Sequence, residues 1–212
     1  MKKIMFNDHY GLTDAVLSGK KTMTRRLMTM TLHKQNGNKL TLIEPDDMFI
    51  EDGVAYFCLG NLAHKVPKEN RPAYKVGEEV WIAQSYKALG HKPDAWIENV
   101  DGGLQPAQEL AGYNNKMFVR SIYLMHRIRI TDVKLERLQA ISDEDCMREG
   151  IMEGEFMNTW DRYYFDEWGD VPNHITFKRP REAFRNLMDR ISGKGTWQRN
   201  PWVYAYTFEL IQ

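Results

Sequence analysis

The chain has 212 residues, of which 42% are hydrophobic, so it can bury the core of one domain or slightly more. Lys and Arg together number 29, as do Asp and Glu, which excludes binding to nucleic acid through bulk positive charge but allows a local basic pocket. The two cysteines, Cys58 and Cys146, provide neither a disulfide framework nor a C-x-x-C zinc pair, and we expect a reducing, cytoplasmic setting. No apolar run approaches the ~18 residues of a membrane span, and the early acidic Asp8 is untypical of a secretory signal, so we expect no membrane association.

The first predicted elements are a short strand over residues 3–6 and an amphipathic helix over residues 8–17. Gly19 is suited to end this helix, because glycine adopts a positive φ at little cost. The basic turn, residues 18–26, follows. It places four cations and two threonine hydroxyls within seven residues: Lys20, Lys21, Thr22, Thr24, Arg25 and Arg26. This composition indicates a site for an anion or a polar ligand, with a solvated basic turn as the alternative.

The basic turn is similar to the end of a phosphate-binding P-loop but does not match that motif. Asp14 stands where the motif needs its first glycine, and Lys21 stands where it needs Ser or Thr. A P-loop also leads from a strand into a helix, whereas a helix precedes this turn. The sequence therefore argues against ATP or GTP binding here.

Strand patterns dominate the next part of the chain. We expect a second strand over residues 26–32. Turn residues at 36–38 and 52–53 separate short β-prone runs and predict hairpins. These hairpins form an insertion at about 33–71.

A turn at Gly77 leads into another predicted strand, and residues 87–112, rich in Pro, Gly and Asp, predict a long loop. The pattern of residues 116–138 again predicts strands. Over residues 126–133 polar and apolar side chains alternate, so one face is buried and the other carries Arg127 and Arg129.

The last third of the chain carries helix signals. Ser142 is a suitable N-cap for a short helix with an acidic first turn, which ends near Glu149 and Gly150. A second insertion, rich in Trp and Tyr, occupies 152–179. Pro180 opens the longest predicted helix, and Gly193 ends it. A loop over 194–201 and a final strand follow.

These elements are mostly strands, with about three helices that do not alternate with them. The expected fold class is α+β, mainly β: a partly open β-barrel with packed helices. We expect a single domain over residues 1–212, with the two insertions at about 33–71 and 152–179.

Four stretches resemble the ASCH-domain family: residues 17–26 (LSGKKTMTRR), 74–81 (YKVGEEVW), 130–142 and 183–202. The last of these resembles the longer branch of the family, found in phages and prophage regions. The resemblance implies a PUA-like barrel and an RNA or nucleotide-related ligand bound beside the basic turn. In this branch Arg-Glu often follows the Trp motif, and here those positions hold Ala83 and Gln84.

Some small members of this family are similar to amidohydrolases that remove the acetyl group from N4-acetylcytidine. Carried over by position, the resemblance implies catalytic roles for Lys21, Thr24 and Glu149, with Glu144 and Glu153 as competing glutamates. In one assignment Lys21 is the base, made neutral by burial and neighbouring cations, and activates the Thr24 hydroxyl. In the other, Lys21 stays charged and holds the oxyanion while Glu149 is the base.

Further residues are candidates for ligand binding, as cations for phosphate, rings for base stacking or polar partners. They are Lys20, Thr22, Arg25, Arg26, Trp81, Gln84, Arg127, Arg129, Lys194 and Trp197. The histidines and cysteines show no metal-ligand spacing, so we expect no metal and no cofactor. Three other functions remain open: a non-catalytic RNA-binding module, a ribonuclease, and a phage accessory protein acting through protein contacts. The oligomeric state does not follow from the sequence.

Overall fold

In this computed structural model the described residues are 1–30, 32–36, 39–99, 101–154, 162–165 and 175–211, and the side chains of 33–36 and 39–43 lie outside the description. The strands in this part of the chain are β1 (Lys3–Ile4), β2 (Met23–Leu27), β3 (Leu32–Asn36), β4 (Lys39–Ile43), β5 (Asp47–Glu51), β6 (Val54–Leu59), β7 (Leu62–Lys65), β8 (Glu79–Ile82), β9 (Trp96–Glu98), β10 (Leu104–Pro106), β11 (Arg127–Arg137), β12 (Met152–Glu153), β13 (Tyr163–Tyr164) and β14 (Trp202–Ile211). The helices are α1 (Leu12–Leu17), α2 (Asp143–Arg148), α3 (Pro180–Ser192) and the single turn α4 (Thr196–Arg199). The protein is therefore a mixed α+β structure built mainly from strands, as expected.

A five-stranded sheet in the order β1-β8-β11-β14-β2 forms the centre of the molecule. β1 runs parallel to β8, and the other neighbours are antiparallel. Among the described strands β1 and β2 stay at opposite edges, so this sheet is open rather than closed into a barrel. The longest pairing in this sheet joins β11 and β14, and its register shifts between Ile130 and Asp132.

The predicted alternation along β11 is confirmed, because Ile128 and Ile130 are fully buried and the side chains of Arg127 and Arg129 lie on the opposite face. The helix expected from Pro180 to Gly193 is also confirmed as α3, and Gly193 has a φ of 95°. α3 buries Phe184, Leu187 and Met188, as its spacing predicts.

The first insertion contains the hairpins that its turn residues predict. β3 pairs with β4, and β5, β6 and β7 form a three-stranded antiparallel sheet. Asp52 and Gly53 both have positive φ, at 49° and 74°, as a tight two-residue turn requires. Most of the turn expected at 36–38 and most of the second insertion lie outside the described residues. The described part of the second insertion includes the strand pair β12 and β13.

Four stretches differ from their sequence prediction. The strand expected at 26–32 begins at Met23 and ends at Leu27, because this segment pairs with β14. The loop expected at 87–112 contains the hairpin β9–β10, which buries Ile97 in a second apolar cluster with Tyr86 and Leu124.

Residues 116–126 form 3₁₀ turns rather than a strand, since Lys116 and Lys3 tie this segment to the chain around β1. The loop expected at 194–201 contains α4, whose Thr196 and Trp197 are buried. No helix among the described residues is long and apolar enough to cross a bilayer.

Ser142 caps α2 as predicted, since its Oγ accepts the N–H of Asp145 at 3.1 Å. We expect Ser142→Ala to lower the free energy of unfolding by about 1 kcal/mol, because the cap bond is lost. Ser142→Asn retains a cap acceptor and is the control. Urea denaturation measures both, and equal stability of the two variants would contradict the assigned cap.

Candidate functional site

The basic turn is anchored on three sides before it enters β2. After α1 the chain reverses at Gly19, which has the predicted positive φ of 75°. The N–H of Lys21 then donates to Ala15 O at 2.8 Å, and the N–H of Thr22 donates to Arg148 O at 2.9 Å. Thr22 O in turn accepts the N–H of Phe208. The turn is thus fixed against α1, α2 and β14, and Lys21 lies inside the molecule with 2% exposure.

Lys21 forms a buried ion pair with Glu149. Its Nζ donates to Glu149 Oε2 at 2.7 Å and to Glu149 O at 2.6 Å. Glu149 is 4% exposed and stands at the end of α2, where Gly150 takes a φ of 103°. A Cβ at Gly150 would lie 3.2 Å from Leu12 and 3.6 Å from the Lys21 stem, so glycine leaves room for this lysine.

The same carboxylate has a second cation. Arg25 Nη1 donates to Glu149 Oε1 at 3.1 Å, so each oxygen of Glu149 faces a different positive charge. Arg25 also donates to Glu136 Oε1, at 2.7 Å from Nη2, and to Asp145 Oδ2 at 3.1 Å. Glu144 and Glu153, the other two glutamates considered, take no part in this cluster; Glu153 instead lies 3.8 Å from Arg162.

These contacts shift the pKa values of both cations. Burial lowers the pKa of Lys21, the carboxylate of Glu149 opposes that shift only in part, and Arg26 and Arg25 add to it. The pKa of Arg25 shifts in the opposite direction. Burial lowers it, but the charges of Glu149 and Glu136 outweigh burial and raise it. Since Arg25 stays charged, Glu149 keeps one cationic partner whether or not Lys21 carries a proton.

A cavity of about 190 Å³ opens beside this cluster. Its polar lining residues include Lys21, Thr24, Arg25, Arg26, Glu149 and Asn7. Its apolar lining residues include Phe6, Leu12, Leu187, Met188 and Ile191. Within the described residues, the Thr24 hydroxyl and the third N–H of Lys21 have no hydrogen-bond partner. A hydroxyl, an amine of lowered pKa and a carboxylate therefore line one cavity.

The cavity explains a departure from the sequence pattern of α3. The apolar spacing predicts that Ile191 is buried with Phe184 and Leu187, yet Ile191 is 39% exposed. It lies at the cavity, where the last turn of α3 extends past the core. The end of α3 is thus part of the cavity wall.

Trp81 and Trp197, the two rings predicted to stack on a base, lie outside the cavity. Trp197 is 9% exposed and packs edge-on against Phe184, with Arg181 over its ring at 5.3 Å, so it belongs to the core. Trp81 is half-buried, and Arg127 covers its ring at 5.2 Å. Neither ring lines the cavity.

The arginines of β11 are already paired on the outer face of the sheet. Arg127 donates to Glu79 at 2.8 Å, and Arg129 lies between Glu79 at 3.1 Å and Glu209 at 3.2 Å. Gln84 is buried, and its Oε1 lies 3.1 Å from His126 Nδ1 rather than at the basic turn. The structure does not bring these three residues to the cavity.

The remaining candidates also lie outside the cavity. Lys20 is exposed and lines a separate groove with Arg148. The Thr22 hydroxyl accepts the Nε–H of Arg148 at 3.3 Å. Lys194 is exposed after the end of α3. Of the residues predicted for the site, Lys21, Thr24, Arg25, Arg26 and Glu149 are therefore the ones that meet.

Sequence reasoning missed the residues that fix Arg25. Glu136 lies on β11, two strands away from Arg25, and the residue directly opposite Arg25 on β14 is Ala205. A small side chain there leaves space for the guanidinium to cross toward Glu136. Finding this contact from sequence would have required the strand order and register. The acidic residues of this cluster hold Arg25, and the described part of the chain contains no group of three or more His, Cys, Asp or Glu side chains that could hold a metal ion.

Comparison of the chain with protein-family models, with curated proteins and with solved structures gives no match in any of the three.

Because Lys21 and Arg25 share the carboxylate of Glu149, we expect Glu149→Gln and Lys21→Met to lower the free energy of unfolding by different amounts. Glu149→Gln leaves Lys21 buried without its carboxylate partner, while Arg25 keeps Glu136 and Asp145, so we expect a loss of about 3–5 kcal/mol in the free energy of unfolding. Lys21→Met leaves Glu149 bound to Arg25, so we expect a clearly smaller loss. Denaturant unfolding measures both, and the exposed Lys87→Met is the control, within about 0.5 kcal/mol of wild type. A Lys21→Met loss equal to that of Glu149→Gln would contradict the shared arrangement.

Proposed function

We propose that this chain is an ASCH-domain protein of PUA-like fold that binds RNA or a modified nucleoside in the cavity beside the basic turn. We propose further that it hydrolyses the acyl amide of N4-acetylcytidine-like substrates. The observation that carries this proposal is the placement of Lys21, Thr24 and Glu149 in one cavity, with Arg25 on the second oxygen of Glu149.

The fold is compatible with this proposal. The central sheet is open at both edges, and three helices pack near it, which suits a partly open barrel of the PUA-like type. The basic turn, from which the family resemblance is strongest, leads into edge strand β2 of this sheet. The proposal therefore rests on the motif and on the cavity that the motif lines.

The lowered pKa of Lys21 favours its assignment as the general base. A buried lysine that loses its proton usually leaves its carboxylate partner with an uncompensated charge. Here Glu149 keeps the hydrogen-bonded Arg25 cation when Lys21 is neutral, which favours the neutral amine. Glu149 then orients the Lys21 amine through the bond to its Oε2.

In the proposed reaction, neutral Lys21 takes the proton of the Thr24 hydroxyl, and Thr24 Oγ1 attacks the acyl carbonyl carbon. The C–N bond breaks, and the N4 leaving group takes the proton from Lys21. Water then hydrolyses the acyl-threonine ester, which releases acetate and restores Thr24. Arg26 lines the cavity and supplies positive charge for the oxyanion.

The size of the cavity suits a single acylated pyrimidine. At about 190 Å³ it is smaller than the ~300–1,000 Å³ of pockets that hold a drug-sized ligand. We therefore place the acylated base inside and the ribose, with any attached chain, outside.

We expect wild type to convert N4-acetylcytidine to cytidine and acetate, measured by liquid chromatography. Thr24→Val removes the nucleophile, and Lys21→Met removes the base, so each lowers turnover by about 100-fold or more. Thr24→Ser keeps a hydroxyl and retains part of the activity.

Lys87→Met is the matched control, because Lys87 is exposed and lines no part of this cavity, and it keeps wild-type turnover. Circular dichroism confirms that each variant is folded. No turnover by folded wild type would overturn the hydrolysis, and a non-catalytic RNA-binding module would take its place.

A further inference from the structure

Asn7 is half-buried and lines the cavity, and the donor end of its side-chain amide is unpaired among the described residues. It lies in the segment after β1 that forms part of the cavity wall. Its backbone carbonyl accepts the N–H of Leu12 at 3.0 Å, and its side-chain Oδ1 accepts the N–H of His9 at 3.0 Å. The second bond identifies the oxygen end of the amide, so Nδ2 is the other end. Among the described residues Nδ2 has no hydrogen-bond partner.

We propose that the Nδ2 group of Asn7 recognises the Watson–Crick edge of a cytosine ring bound in the cavity. This inference rests on the proposed function, which places the acylated N4 beside Lys21 and Thr24. Beside N4, the cytosine edge carries two acceptors, N3 and O2. The two N–H groups of Nδ2 match these two acceptors, as in enzymes that recognise an extruded base by its pairing edge.

The same donors discriminate against other bases. Uracil carries a proton on N3, so there a donor of Asn7 would face a donor of the ring. Adenine offers one acceptor beside its amine, and its two fused rings need more of the 190 Å³ cavity. A donor pair at this position therefore selects a cytosine.

The other cavity walls suit the faces of a flat ring. Phe6 and Leu12 line the cavity together with Leu187 and Met188 of α3. The Phe6 ring is itself held near two cations, Lys21 Nζ at 6.0 Å and Arg26 at 5.9 Å. Apolar walls cover the ring faces, and polar groups are left to contact the ring edge.

The test compares binding of cytidine and uridine, measured by calorimetry, with turnover of N4-acetylcytidine. Asn7→Asp keeps the oxygen that accepts the His9 N–H but replaces the donor end by an acceptor. Asn7→Ser keeps an acceptor for the turn without adding charge. We expect both variants to weaken cytidine binding about 10-fold or more while uridine binding does not weaken, so that the preference is lost.

Asn115→Asp is the matched control. Asn115 Oδ1 accepts the N–H of Met117 at 3.0 Å in the same two-residue arrangement, but Asn115 is exposed and lines no part of this cavity. We expect it to keep the cytidine preference of wild type.

The outcomes separate this inference from the proposed hydrolysis. A preference for cytidine that both Asn7 variants retain would overturn the role of Asn7, even if turnover is present. Wild type that hydrolyses N4-acetylcytidine but binds uridine as well as cytidine would also overturn it. A cytidine preference that the Asn7 variants lose, in a protein without turnover, would support Asn7 and overturn the hydrolysis.

Discussion

One buried carboxylate, that of Glu149, receives two cations on its two oxygens, and the candidate site depends on this sharing. Lys21 is 2.7 Å from one oxygen and Arg25 is 3.1 Å from the other. An isolated buried pair is expensive to separate, because either partner left alone is an unpaired charge. With Arg25 also present, Glu149 keeps a cationic partner when Lys21 is neutral. Burial can then lower the pKa of this lysine even though a carboxylate touches it.

The surrounding fold holds these three residues together from distant parts of the chain. Lys21 and Arg25 stand on either side of the start of β2, which pairs with β14 at the edge of the central sheet. Glu149 arrives from the end of α2, and Gly150 leaves space for the lysine stem. Arg25 is further fixed by Glu136 of β11 and Asp145 of α2. A side chain held by three carboxylates has little freedom, so the charge beside Glu149 is fixed in place.

Local signals in the sequence predicted many of these elements correctly. Ser142 marked the start of α2, Pro180 and Gly193 marked the ends of α3, and the alternation around Ile128 predicted the buried face of β11. Each of these features is determined within a few residues. The basic turn and Glu149 could be named as candidates from the resemblance to the ASCH-domain family, although this resemblance left three glutamates to choose from.

Features set by contacts between distant segments could not be predicted in this way. The start of β2 at Met23 depends on its pairing with β14, and the burial of Trp197 depends on α3 packing over α4. The contact of Arg25 with Glu136 depends on the strand order and register, which place Ala205 opposite Arg25 and Val203 opposite Glu136. The sequence did not indicate a role for Asn7, because its unpaired donor end is identified only by the hydrogen bond between Oδ1 and the His9 N–H.

The most direct test of this account is the pKa of Lys21 itself, measured by NMR titration of the Nζ and Cε resonances in labelled wild-type protein, with Lys21→Met to assign the signal. The account predicts that Lys21 titrates below the ordinary lysine value of 10.5, apart from the exposed lysines. A Lys21 pKa at or above 10.5 would show that the ion pair with Glu149 outweighs burial, and would contradict the proposal that a neutral amine acts as the base.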